Sequence, residues 1–273
     1  MKNKTHILSA GLCLAIMSFN CGCASNDNEQ RLTVFETYTK SKVYEMTDSG
    51  HNLGAQTDIT VCDSLALIMP VTLYGRQADM LVDSILSRAL DIKGKSVNEA
   101  VESWVSPVVT ETELPVKEVQ LSPLMAEGFQ IVNGTIVNFT PQLLVYCIGT
   151  STYYPGAANG LETLDYINYS LTDNKILSLS DLFTENGLSE LPKLIAEQAS
   201  TMPAYKDEVD ITQLPANDNF FLSSEGEIVF CYQPMEVGPH SLGSVMVAFY
   251  PYELVSYLTP YAINFFDLHD ISD

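Results

Sequence analysis

A chain of 273 residues, 46% of them hydrophobic, can bury a substantial core, which excludes disorder over most of its length. Thirteen basic residues against 34 acidic ones give a formal charge of −21. Such a surface repels nucleic acid and anionic headgroups and attracts cationic partners.

The first 22 residues read as a cleavable signal peptide. Lys2 and Lys4 make a positive start. Ile7 to Phe19 form an apolar stretch too short to span a hydrocarbon core of about 30 Å. Small Gly22 precedes Cys23, as in a lipobox, so Cys23 is expected to become the lipid-bearing amino terminus. Asn20 stands where Leu is usual, which leaves an ordinary signal peptide as the alternative. The expectation is an exported, membrane-anchored lipoprotein of a Gram-negative envelope, periplasmic or surface-exposed, held to the lipid bilayer by its acyl anchor. Without Lys2 and Lys4, 11 basic residues face 34 acidic ones and the charge is −23. Residues 23–31 form the lipidated polar tether.

Residues 32–39 and 41–46 alternate as strands do, and Asp48-Ser-Gly-His supplies a loop. Residues 59–74 read as two strand pieces interrupted near Pro70. Met80, Leu81, Ile85, Leu86, Ala89 and Leu90 recur at helical spacing from Arg76 to Asp91, with Gly94 as the stop. A second helix starts at Ser96. Ser96 and Glu99 form a capping box, Val97, Ala100, Val101 and Trp104 share a face, and Pro107 ends the helix. Residues 108–121 look strand-like, broken at Pro115. Asn133-Gly134 between apolar runs predicts a hairpin turn.

Residues 142–149 predict a strand, and 164–171 with 175–179 a hairpin across Thr172-Asp-Asn. Leu191, Leu194, Ile195 and Ala199 line the inner face of a helix over 188–200. Residues 219–222 and 228–232 predict a hairpin, 244–250 a buried strand and 252–258 a helical turn. Interspersed helices and hairpins without βαβ regularity indicate α+β, antiparallel sheets with helices packed on one face. Two sub-domains are expected, an N-terminal one over 32–125 and a C-terminal one over 126–262, followed by a tail over 263–273.

Cys13 and Cys21 leave with the signal and Cys23 is acylated. Cys62, Cys147 and Cys231 lie in apolar runs and read as buried small hydrophobes, with one disulfide among them as the alternative.

Little in the mature chain suggests chemistry. Its histidines are His51, His240 and His269, and neither a zinc spacing, a Gly-x-Ser-x-Gly elbow nor a phosphate loop is present. Asp207-Glu208-x-Asp210 has oxygen ligands for calcium but lacks the spacing of a known loop. His240 beside Ser241 is the one local hint of a dispersed triad. The reading is therefore not an enzyme, with no cofactor and no metal. Tyr153 and Tyr154 before Pro155-Gly156 offer flat faces and hydroxyls on a rigid turn, suited to sugar or protein contacts and equally to core packing. Tyr153, Tyr154, Gly156, Asn159, Glu236 and His240 are the ligand-binding candidates.

A series of motifs in the C-terminal half carries a family resemblance. It runs through Tyr153-Tyr154-Pro155-Gly156-Ala157-Ala158-Asn159-Gly160, then Asn174-Lys175 and Leu179-Ser180-Asp181-Leu182-Phe183. It continues in Asn219-Phe220-Phe221-Leu222 with Glu225-Gly226, Phe230 to Pro239, and Pro251-Tyr252-Glu253-Leu254. In this order they resemble the extracytoplasmic domain of unknown function in lysozyme-sensing anti-sigma factors of the RsiV type. That domain also stands beside catalytic domains in some peptidoglycan deacetylases. Ala158 occupies the place of the family loop's His, and Pro155 that of its first Gly. The resemblance implies a non-catalytic binding or sensing module of the cell envelope, for a cationic lysozyme-like protein or a cell-wall glycan. An exported hydrolase or deacetylase acting on peptidoglycan and a structural envelope lipoprotein are the alternatives.

Overall fold

The computed structural model describes residues 33–49, 56–205 and 214–269. Two long antiparallel strands open the fold, β1 (Val34–Ser49) and β2 (Gln56–Thr72). β2 runs through Pro70 without a break. The register slips beside Val34 and Phe35, leaving Val71 as the extra residue of a bulge, and the ladder to the strand on the other side of β2 stops at Leu67. Pro70 therefore owes that side no N–H, which is where a sheet tolerates proline.

Helix α1 (Asp79–Leu90) buries Leu81, Ile85, Leu86 and Leu90, while Met80 faces solvent. It ends at Asp91, not at Gly94: Asp91 has φ +54° and donates to Ser87 O at 3.1 Å, and Ile92 N donates to Leu86 O at 3.3 Å. Helix α2 (Val97–Ser103) starts at the Ser96–Glu99 capping box. Lys40 Nζ closes it from β1, donating to Glu102 O at 2.7 Å and to Trp104 O at 2.5 Å. A cation on the last carbonyls suits the negative end of a helix. Pro107 does not end α2, which has already stopped at Trp104. It begins the short helix α3 (Pro107–Thr110), where its missing N–H would have had no partner. Val108-Val109-Thr110 is thus helical rather than strand-like, and β3 (Val116–Val119) follows Pro115.

β4 (Gly128–Phe139) is one continuous strand, so the hairpin expected at Asn133-Gly134 does not form. Gly134 is needed for another reason: a Cβ there would run into the Tyr146 hydroxyl and lie 2.7 Å from Leu67 Cδ2. β5 (Leu143–Tyr153), β6 (Leu161–Ser170) and β7 (Lys175–Ile176) complete a seven-stranded sheet of order β3-β1-β2-β4-β5-β6-β7. Only the β2–β4 pair is parallel. Asn174, φ +54°, makes the β6–β7 turn.

A short helix and a long one follow: α4 (Leu179–Leu182), then α5 (Glu185–Thr201), which buries Leu191, Ile195 and Ala199. A second sheet has β9 (Ile228–Tyr232) between β8 (Phe220–Leu222) and β10 (Val245–Phe249). A 3₁₀ segment, Pro251–Tyr257, leads to α6 (Pro260–Phe265). Thr259 Oγ1 fastens α6 to Asp181 O at 2.6 Å, and Tyr261 donates to Asp173 Oδ2 at 2.6 Å beneath Lys175 Nζ. Residues 263–265 belong to α6 and Leu268 is buried, within the stretch read from the sequence as a tail.

The molecule is a mixed α+β structure with one large, mostly antiparallel sheet, a small second sheet and several helices. β5 lies at its centre. Leu144, Tyr146 and Ile148 face α1 and α2 on one side; Leu143, Val145 and Cys147 face the small sheet and α5 on the other. Alternation along one strand feeds both cores. The large sheet runs unbroken across residues 125–126 through the β2–β4 pair, so the two sub-domains share it. Cys62, Cys147 and Cys231 are all buried and free.

Candidate functional site

The loop between β5 and β6 owes its shape to Pro155-Gly156. Ala157 N donates to Tyr154 O at 2.9 Å, and Gly156 has φ +87°. Proline followed by a positive-φ glycine is the pattern of a type II turn. The loop sits down on Gly128, where a Cβ would lie 2.6 Å from Pro155 Cδ and 2.8 Å from Tyr153 O. Tyr153 packs against Phe129 with ring centroids 6.1 Å apart. Tyr154 packs on the small cluster of Met46, Ile59 and Val61, beside Val108 and Leu114. At the far end, His240 Nε2 lies 2.8 Å from Gly160 O.

Facing this loop is α3 with Glu111 and Thr112. A buried carboxylate holds that wall. Asp63, 2% exposed on β2, accepts from Ser106 N at 2.9 Å and from Ser106 Oγ. Burial pushes the Asp63 carboxyl up from its usual range, while the two Ser106 hydrogen bonds and the charge of Lys40 pull it back down. Ser106 immediately precedes Pro107, so the pair fixes where α3 begins.

Between the walls lies an open cleft of about 540 Å³, lined by Pro107, Val108, Glu111 and Thr112 on one side and residues 154–157 on the other. Its apolar part is stiff, being built from two prolines, a valine and a tyrosine. Its polar part is one exposed carboxylate and a threonine. No His, Cys or Lys lines it. That combination suits holding a ligand with an apolar body and a donor or cationic edge.

Of the candidates read from the sequence, Tyr154 and Gly156 line the cleft. Tyr153 supports the loop from beneath, and His240 clamps its end. Asn159 is exposed on the loop outside the cleft. Glu236 serves its own turn, accepting from Gln233 N at 2.7 Å. The opposite wall was not anticipated, because Pro107 read as a helix stop and 108–121 as strand-like, and Thr112 lies 42 residues before Tyr154. The histidine-containing loop at 48–51 extends beyond the described residues, and Cys23 and Asp207-Glu208-x-Asp210 lie wholly outside them. Among the described residues no three metal-ligating side chains converge, and no helix is long and apolar enough to cross a membrane.

These features define an α+β protein in which a three-stranded sheet docks on a larger one and an open cleft lies at one end. Residues 180–253 match the family model DUF3298, a protein family of unknown function, so the chain carries a DUF3298 domain. The fold recurs in the crystal structure of a member of that family from Bacteroides fragilis, 16% identical with a TM-score of 0.61, covering 86% of this chain and 96% of that one. A DUF3298 family protein from Pseudomonas aeruginosa PAO1 is 13% identical with a TM-score of 0.53, covering 85% of this chain and 97% of that one. No curated protein matches the chain.

Proposed function

We propose that this protein is an exported lipoprotein, anchored through Cys23, that acts as a non-catalytic binding or sensing module of the cell envelope. Its site is the cleft between the Tyr154 loop and α3. The observation that carries the reading is the lining of that cleft, where rigid apolar walls flank a single exposed carboxylate. A cationic, lysozyme-like protein or a cell-wall glycan is the ligand. The strong negative charge favours the former, and the resemblance to the sensing domain of RsiV-type anti-sigma factors supports either.

The fold also suits a tether. β1 enters where Val34 meets Thr72, whereas the cleft stands beyond the Val61–Gly128 end of the sheet. Eleven residues of β2 separate the two ends, about 36 Å at 3.3 Å per residue. A chain held by its amino terminus would carry the cleft on the side away from the bilayer.

Calorimetry with lysozyme and with muropeptides tests the site. Binding to one of them, weakened about tenfold or more by Tyr154→Ala, is the expected result. Absence of binding to both at low salt overturns it. Mass spectrometry of the membrane fraction tests the anchor: an unmodified Cys23 or a retained Met1 would remove that half of the proposal.

A further inference from the structure

The last quarter of the chain carries charge of one sign only. Residues 207–273 contain 11 Asp and Glu and no Lys or Arg. Within it, Tyr250 and Tyr252 are 40% and 50% exposed, their rings parallel to within 8° and their centroids 5.5 Å apart. The turn they flank needs neither ring to begin: Tyr250 N donates to Glu253 Oε2 at 2.7 Å, a bond any residue but proline supplies. Two half-exposed aromatic rings thus present a stacked surface to water that the start of this turn does not require.

Their surroundings are acidic. Phe249 pairs with Ile228 in the antiparallel β9–β10 ladder, so Tyr250 follows directly opposite Glu227, and Glu227 first, with Glu225 and Glu253 adding to it, pushes the Tyr250 hydroxyl upward. The β8–β9 turn holds Glu227 in place through Ser223 Oγ at 3.1 Å. None of the ion pairs among the described residues uses Glu225, Glu227 or Glu253. The patch lies at the opposite end of the molecule from the cleft, since Asn138, near the end of β4, donates to Leu222 O and Ser223 O.

We propose that the stacked Tyr250–Tyr252 pair and the three glutamates around it form a second docking surface, for a basic segment of a partner protein. An arginine guanidinium stacks on a tyrosine face and forks onto a carboxylate, and a lysine makes the same contacts with weaker geometry. Glutamates at this density repel an anionic bilayer or nucleic acid. The proposal deepens the reading of a cationic partner and rests on it for the partner's charge, but it places the contact elsewhere.

The full chain, with carbon-13-labelled tyrosine, is titrated with a nine-arginine peptide at about 150 mM salt, where surface charges are screened beyond about 8 Å. The ring resonances of Tyr250 and Tyr252 are expected to move. Replacing both by Leu weakens binding about fivefold or more, and Glu225→Gln with Glu227→Gln flattens the salt dependence. Movement of Tyr153 and Tyr154 instead overturns this inference while the cleft reading stands. Zwitterionic lipid vesicles moving the pair where the peptide does not overturns it in favour of bilayer contact. No binding at about 20 mM salt, where screening is weak, overturns it outright.

Discussion

Gly134 has no side chain because Tyr146 occupies the space above it. The demand comes from a neighbouring strand and not from local backbone, which is why Asn-Gly at this place imitated a turn signal. Gly134→Ala forces the Tyr146 ring or β2 to move, and overpacking of that kind costs about 1–3 kcal/mol. Thermal unfolding of the variant measures it; an unchanged midpoint would show that the core yields freely. Asp63 makes a pH-dependent prediction. Its folded carboxyl titrates above the ordinary range because burial outweighs its partners. The folded state therefore holds that proton more tightly than the unfolded chain, and this contribution to stability is complete at low pH and lost as pH rises through the folded value. Asp63→Asn has no such proton. The advantage of the wild type over the variant should be greatest below about pH 4, the unfolded carboxyl's own range, and shrink as the pH rises through the folded value, read from urea unfolding over a pH series. An advantage that grows with pH contradicts this account.

Four side-chain amides dock the small sheet on the large one. Asn168 of β6 donates to Phe220 O at 2.8 Å and accepts from Leu222 N at 2.9 Å, both on β8. Asn219 answers from the other sheet, accepting from Tyr166 N at 3.1 Å and donating to Leu164 O at 2.8 Å. Gln233 makes a similar pair with Leu164, and Asn138 reaches Leu222 O and Ser223 O. Each amide takes the place of a missing neighbour strand. Asn168→Ala leaves two buried backbone groups of β8 unpaired and should cost about 2–4 kcal/mol. Hydrogen exchange should show β8 opening before the large sheet; a uniform change would mean that the small sheet does not open on its own. What the sequence made legible follows the same division between local and long-range causes. The Ser96–Glu99 box, the helical spacing of Leu81, Ile85 and Leu86, and the turns at Asn174 and Gly226 are local, and each was foreseen. Pro70 within a strand, Val108 in a helix and the carboxylate under α3 depend on partners far along the chain. The cleft was half legible for that reason: one wall carries a Pro-Gly turn, and the other is recognisable only once Asp63 has gripped Ser106.

At the scale of the whole molecule, the central strand decides what can be divided. Without residues 33–125, the face of β5 and β6 bearing Leu144, Tyr146, Ile148, Ile167 and Tyr169 loses Leu81, Ile85, Leu86 and Trp104. A fragment spanning 126–273 is expected to bind a hydrophobic dye and to melt without cooperativity, as incompletely packed states do. A sharp thermal transition close to that of the full chain would refute this. The region that matches the family model, 180–253, holds α4, α5 and the small sheet but neither β5 nor β6. The stretch recognisable by its pattern is thus smaller than the core it packs on, which also takes Leu143, Val145, Cys147 and Tyr166 from β5 and β6. Anyone grafting this module onto another protein must transplant the strands beneath it as well.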